Sequence, residues 1–471
     1  MALRRRKQVA DDLSPEQREV RIAELRAKRR ARVRTLAIRS GIATTVLLVL
    51  LGIALYWLVQ TVAGRDVLLN QIIARLPAGS SFTWTKAEGP LAGPLTLHGV
   101  DFRYGKIHFT AKRVYLDPDL RPLLGKRLRL DALRLTDATL DIPASDEPFK
   151  LPTWPELLPQ IEMPLAIQAD TMEIDGLRIT QSAQPLIDIA RAHGGLDIGN
   201  GYFKAQQLAI DSDRGRLHLH GNYEPNAGYA TDLVVTAVFP AALGRTPARL
   251  GLVARGNRKR MEVGLAGAAP APVRMTLEVR GEDNPDWRFS GKTEALDLAL
   301  LGLAEASMPL AFDLQARGAG GAADLHGRVQ QGEFVAVLEP SKIRIANEVL
   351  TVEPLAVRAF EGLTTLRGRA DFTNPDNPVF KFAANARGLR WSGSSTDAGD
   401  TEAAVIGADA DLGFAGQMKD WAAIGTATLV REQQTAKVDF DARGNGEQLL
   451  IKKLLASMPS GSLDATGTVG W

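Results

Sequence analysis

The residues that could do covalent chemistry are few, and their spacing is wrong for it. Gly291-Lys292-Thr293 has the closing residues of a phosphate-binding loop, but the glycine needed five residues before Gly291 is Asp286. Gly199-Asn200-Gly201 opens like a dinucleotide fingerprint, then lacks its third glycine and a helix behind it. His218 and His220 share one face of a strand and would ligate a metal only with a third ligand nearby. Leu217 and Leu219 face the other way, so the histidines read as the polar side of an amphipathic strand. Asp117-Pro118-Asp119 and Asp211-Ser212-Asp213 sit in turn-like surroundings, where aspartate caps backbone groups. No glycosidase carboxylate pair or Ser-His-Asp set assembles. Without cysteine there is no disulfide framework, thiolate zinc site or thiol nucleophile. The expectation is a chain that is not an enzyme, with no catalytic residue, no metal and no cofactor.

What remains is the chemistry of apolar surface. Residues 40–63, SGIATTVLLVLLGIALYWLVQTVA, carry no charge and are flanked by Arg39 and by Gly64-Arg65. At 1.5 Å per residue this run reaches roughly 36 Å, enough to cross a hydrocarbon core of about 30 Å with some tilt. It predicts a single transmembrane helix over 40–64. Ile42, Leu47, Leu50 and Leu55 would face lipid as anchors, with Tyr56 and Trp57 at headgroup level. A buried core helix rarely runs so long without charge.

Residues 1–39 hold 13 Lys and Arg against 5 Asp and Glu, a head of +8 in a chain of formal charge +3. Ser14-Pro15-Glu16-Gln17 is a capping-box arrangement with proline at the first helical position, so a basic helix starts there. Arg29, Arg30, Arg32, Arg34 and Arg39 crowd its end, where they would bind anionic headgroups and keep the N-terminus cytoplasmic. A nucleic-acid-binding protein would spread its positive charge over the folded domain instead. The head and apolar run are too long for a cleaved signal peptide, although Thr61 and Ala63 resemble residues before a cut. Over 65–79, Val67, Leu68, Leu69, Ile72, Ile73 and Leu76 predict an amphipathic helix ended by Pro77 and Gly79. It would lie on the far membrane surface or plug the first end of the folded region.

From Phe82 the texture becomes short alternating segments punctuated by Gly, Pro, Asn and Asp, which is a β protein. One unit recurs: LTLHGVDF at 95–102, LRLDALRL at 128–135 and MEIDGLRI at 172–179. In each, the apolar positions switch parity midway, as Leu128 and Leu130 do against Leu133 and Leu135. Side chains alternate strictly along a strand, so keeping both pairs on one face requires an extra residue, a bulge or a bend. Gly99, Ala132 and Gly176 stand at that place. The pattern continues more loosely at 216–223, 323–329, 342–357, 364–372 and 462–471, at intervals too uneven for a tight solenoid. The apolar face could be buried by a second sheet or left as a groove in one curled sheet. The 44 glycines and only 6% aromatic residues favour the groove. Six prolines in 143–164 mark a connection between a first β block at 80–142 and a long β region at 165–471.

The run from Phe82 to Ile179 resembles the N-terminal part of the TamB family. These are the inner-membrane subunits of the bacterial translocation and assembly module, within the AsmA-like, bridge-like lipid-transfer group. The resemblance rests on the single span, the GPLTLHGV and LLGKRLRLDALRL segments, and the proline-studded lead into MEIDGLRI, in that order. It implies a mainly β fold: one N-terminal membrane helix, then an elongated, curled antiparallel β-sheet with a hydrophobic groove, a β-taco. The implied setting is a Gram-negative inner membrane with the bulk in the periplasm. The implied partners are phospholipid, the inner membrane and an outer-membrane Omp85-family protein (TamA-like), met through a C-terminal region expected to be missing here. On this basis the lipid-groove candidates are Leu95, Leu97, Val100, Phe102, Leu128, Leu130, Leu133, Leu135, Leu140, Ile142, Met172, Ile174, Leu177 and Ile179. The implied role is phospholipid transport towards the outer membrane and outer-membrane protein assembly. The alternative is a non-conducting membrane-tethered scaffold that docks outer-membrane proteins by strand addition.

Overall fold

The computed structural model describes residues 49, 56, 61, 64–67, 69, 79–91, 93–119, 127–144, 151–163, 166–241, 244–304, 306–392 and 405–470. Two compact units are distinguished, one of residues 1–78 with 88–95 and one of residues 79–87 with 96–471.

In the first unit, residues 64–67 and Leu69 are helical, as are Val49 and Tyr56. Arg65 is only 5% exposed, because its guanidinium donates to the Asp66 carboxylate at 2.8 Å and to the Gly89 carbonyl at 2.9 Å. Val67 and Leu69 do not share a face: Val67 is exposed and Leu69 buried. Residues two positions apart in a helix point about 200° from each other around its axis; Leu68, Ile72, Ile73 and Leu76 of the expected face lie outside the described residues. Among the described residues no helix is long and apolar enough to cross a membrane. The expected basic helix at 1–39, with Arg29, Arg30, Arg32, Arg34 and Arg39, lies outside the described residues. So do Ile42, Leu47, Leu50, Leu55 and Trp57 of the expected anchor; Tyr56 is exposed.

Among the described residues the strands form one curled, unclosed sheet of 25. Its strands are β1 (Ser80–Thr83), β2 (Lys86–Glu88), β3 (Leu95–Tyr104), β4 (Ile107–Asp119), β5 (Arg127–Ile142), β6 (Ala166–Gln181), β7 (Gln184–Gly199), β8 (Tyr202–Ser212) and β9 (Gly215–Glu224). There follow β10 (Ala230–Val238), β11 (Arg249–Asn257), β12 (Arg260–Ala268), β13 (Pro272–Arg280), β14 (Asp286–Leu296), β15 (Leu310–Ala319), β16 (Ala322–Gln331), β17 (Phe334–Ala346) and β18 (Val349–Ala359). The last are β19 (Gly362–Asp371), β20 (Val379–Ser392), β21 (Val405–Gln417), β22 (Asp420–Arg431), β23 (Gln434–Gly444), β24 (Gln448–Met458) and β25 (Gly461–Gly470). Each strand alternates because one face is apolar and the other polar. In β12, for example, Met261, Val263 and Leu265 point one way and Glu262 the other. Tight turns at Asn347-Glu348 and Phe360-Glu361 have positive φ at both residues, the geometry that matches the twist of a hairpin.

β1 pairs with β3, and from β4 onward sequential strands are neighbours, antiparallel with one exception. β5 and β6 run parallel, from Arg127 opposite Ala166 to Ile142 opposite Gln181. The sheet is therefore not antiparallel throughout, as the sequence pattern suggested. A parallel neighbour needs a long crossover to return the chain to the starting edge, and the proline-rich connection at 143–165 is that crossover.

The parity switches are resolved by bulges. In the β4–β5 pairing, Asp117 opposite Ala132 is followed by Pro118 opposite Leu130, so Asp131 is the extra residue. A second interruption sets Thr136 opposite Asp175 and then Ala138 opposite Leu177, skipping Asp137 (φ 49°) and Gly176 (φ 80°) side by side. Gly99 has φ 58°, and a Cβ there would lie 2.7 Å from the Thr85 hydroxyl, so the bend in β3 requires glycine.

Candidate functional site

Strand register decides what the apolar residues of this sheet have in common, because residues directly opposite across a ladder share a face. One row runs Leu130, Ala169, Leu196, Ala205, Gly221, Leu233, Ala254, Val263, Leu277, Phe289, Ala316, Leu325, Ser341, crossing β5 to β17. A second runs Ala323, Ile343, Val352, Gly368, Phe382, Phe414, Ala423, Ala442, Ile451, Gly467, crossing β16 to β25. They overlap on β16, where Ala323 and Leu325 face the same way. Ser341 is the one polar member, and it is consumed locally: its hydroxyl donates to Glu339 O and accepts from Ala356 N.

One residue out of register, the other face is charged. Lys204, Asn222, Asp232, Arg255, Glu262, Glu278, Arg288, Arg317, Asp324 and Lys342 form a continuous row from β8 to β17. Ion pairs such as Arg255–Asp232 at 3.0 Å and Arg387–Asp411 at 2.7 Å bridge neighbouring strands there. Exposed pairs of this kind contribute little to stability, so the face is mainly a hydrated surface. The Arg387 guanidinium holds the Asp411 carboxyl below the usual carboxylate range, and Arg129 does the same for Asp170. These pairs support the fold above the ordinary aspartate pKa of about 3.9 and lose that contribution as pH falls through the lowered native values.

The apolar face is covered unevenly. On β5 to β9 it packs on itself around Leu130, Ala169, Met172, Ala205 and Leu208, all buried. Further along, mid-strand residues such as Val235, Leu252, Leu265, Met275, Leu314, Leu338 and Leu412 are only half-buried. A second sheet laid over them would have buried them fully. Two covers lie near opposite ends of the strands in the middle of the sheet. At one, Trp154 and Leu158 of the crossover pack on Met261, Val279, Val263, Leu277 and Trp287. At the other, a short turn Leu298–Leu301 places Leu298, Leu300 and Leu301 on a cluster around Leu296 and Phe312. That turn is capped by buried Asp297, which accepts from Ala299 N at 3.0 Å and from the Ser307 hydroxyl at 2.5 Å.

Glycines keep the face shallow by letting rings lie flat across strands. A Cβ on Gly444 would sit 2.2 Å from the indole of Trp421, one on Gly318 2.8 Å from Trp287, and one on Gly368 2.6 Å from Phe382. Gly444→Ala is expected to lift the Trp421 ring and destabilise this part of the sheet by about 1–3 kcal/mol, the usual cost of overpacking. In a Trp421→Ala background the same change should be nearly neutral. Urea unfolding of the four proteins in a double-mutant cycle measures the difference.

Of the expected groove residues, register places Leu128, Leu130, Leu133, Leu135, Leu140 and Ile142 of β5 on one face with Met172, Ile174, Leu177 and Ile179 of β6. Leu95, Leu97 and Val100 of β3 are buried, and Phe102 lies opposite Phe82 of β1, ring to ring at 6.1 Å. His218 and His220 are on the charged face and exposed, with Leu217 and Leu219 on the apolar face. No group of metal-ligating side chains forms among the described residues. Gly291-Lys292-Thr293 lies within β14, where Lys292 pairs with Asp313 at 3.6 Å. Sequence reasoning missed both covers, although the unalternating run LDLALLGL at 296–303 and Trp154 amid the prolines were visible signals. The chain matches no family model, no curated protein and no solved structure.

Proposed function

We propose that this chain conducts phospholipid, its acyl chains lying on the apolar face of the sheet as in a groove and its headgroups staying in water. The single observation that carries this is the apolar row, unbroken but for Ser341 from β5 to β25 on a sheet that does not close, with its middle residues half-exposed. A soluble protein seldom leaves so long a contiguous apolar surface without an occupant. Burial of methylenes gains about 0.8 kcal/mol each and has no preferred direction, so such a face holds a chain without fixing its position. Sliding follows from that.

The uncharged run at 40–63 and its basic flank support an anchor in the inner membrane, with the N-terminus cytoplasmic and the sheet in the periplasm. The resemblance to the TamB family supports transport towards the outer membrane and an Omp85-family partner there. Photo-crosslinking to phospholipid from consecutive positions of β12 in cells tests the reading. Adducts are expected from Leu265 and not from Glu262. Equal yields from both faces would defeat it.

A further inference from the structure

The crossover segment at 151–163 does more than carry the chain from β5 to β6. Leu158 is 9% exposed, and together with Trp154 it occupies the apolar face of β12 to β14. We propose that Trp154 and Leu158 are a displaceable internal occupant of the lipid face: they lie where acyl chains would lie, and lipid reaches this stretch only when they leave. This rests on the lipid-conduction reading and adds a gate to it.

The segment is held asymmetrically. Among the described residues, the bonds that tie it to the sheet all involve its later half: the Tyr223 hydroxyl donates to Pro159 O at 2.7 Å, Gly201 N donates to Ile161 O at 2.7 Å, and the Gln160 amide donates to the Tyr229 hydroxyl. Burial pushes the Tyr223 hydroxyl up to about 12, so it remains a donor. Among the described residues, the half bearing the apolar side chains makes hydrogen bonds only within its own turn, Thr153 to Glu156, Leu157 N to Thr153 O and Leu158 N to Pro155 O. The Trp154 indole N–H is buried with no acceptor among the described residues. An unmet buried donor weakens the seated state, whereas the Pro159–Ile161 anchor would keep the segment beside the sheet after its apolar half lifts away.

Because the chain has no cysteine, a Leu158→Cys, Met261→Cys pair gives a single reversible lock. A photo-crosslinker at Leu277, beneath the segment, reports local lipid, and one at Leu412 on β21 reports lipid elsewhere. The full chain is incubated with phosphatidylethanolamine vesicles containing a pyrene-labelled phosphatidylcholine, then irradiated. Oxidation is expected to cut the Leu277 adduct by about tenfold or more, since apparent affinity scales with the fraction of the competent state. The Leu412 adduct should not change, and dithiothreitol should restore the Leu277 signal. Trp154→Gly together with Leu158→Gly, which removes both occupants without a lock, should raise the Leu277 adduct. Equal Leu277 adducts in locked and reduced protein would overturn the gate and make the segment a fixed clip. Absence of adducts at both positions in the reduced protein would instead defeat lipid conduction itself.

Discussion

Replacing Leu265 by arginine is expected to lower the phospholipid carried by the purified protein by about two orders of magnitude while leaving the sheet folded. Leu265 is half-buried at the middle of β12, opposite Leu252 and Met275. Without lipid, an arginine there still reaches solvent, so folding tolerates it. With lipid on the face, the guanidinium must be covered by acyl chain. An arginine in a hydrocarbon environment costs about 2.5–3.5 kcal/mol by membrane-insertion measurements, and each 1.4 kcal/mol is about a factor of ten in occupancy. Thr276→Arg is the matched control: Thr276 is exposed on the charged face of β13, opposite Gly264 and Ser290. It should retain wild-type lipid. Mass spectrometry of organic extracts from the two variants makes the comparison, and equal loss from both would point to a general effect of added charge.

Leu130→Ala should show the converse, a large loss of stability. Leu130 is 2% exposed and packs with Ala169, Met172, Ala205 and Leu208 where the apolar face closes on itself. Truncation there removes transfer free energy and leaves a cavity among strands that are held by bulges and cannot easily collapse. The expected cost is about 2–5 kcal/mol. Leu265→Ala, on the open part of the face, should cost much less, because solvent already reaches that side chain. Native-state hydrogen exchange resolves the two: amides of β5 to β9 should exchange faster in Leu130→Ala and stay protected in Leu265→Ala.

The two sites differ although both are leucines in alternating strands, and this marks what the sequence reveals and what it leaves to tertiary structure. Alternation and its parity breaks tell which residues share a face, so the bulge beside Ala132, the bends at Gly99 and Gly176 and the common face of β5 and β6 are legible residue by residue. Alternation says nothing about which strand lies next to which, or in what direction. The parallel β5–β6 pair depends on where a crossover lands, and its prolines describe local stiffness and no destination. For the same reason Trp154 and Leu158 read as parts of a linker. Their role depends on Met261 and Val279, more than a hundred positions away in the chain. The helical turn at Val67 and Leu69 misled for a simpler reason, since apolar composition was taken for an apolar face.

Continuity of the lipid path is the central claim, and site-resolved crosslinking on three distant strands tests it most directly. Photo-reactive residues would be placed at Leu265 and Glu262 of β12, Val357 and Arg358 of β18, and Leu412 and Asp411 of β21, each pair taking one position from each face. Phospholipid adducts in living cells are expected at Leu265, Val357 and Leu412, with none at Glu262, Arg358 and Asp411. Adducts confined to one strand, or shared equally by both faces, would contradict a continuous apolar path.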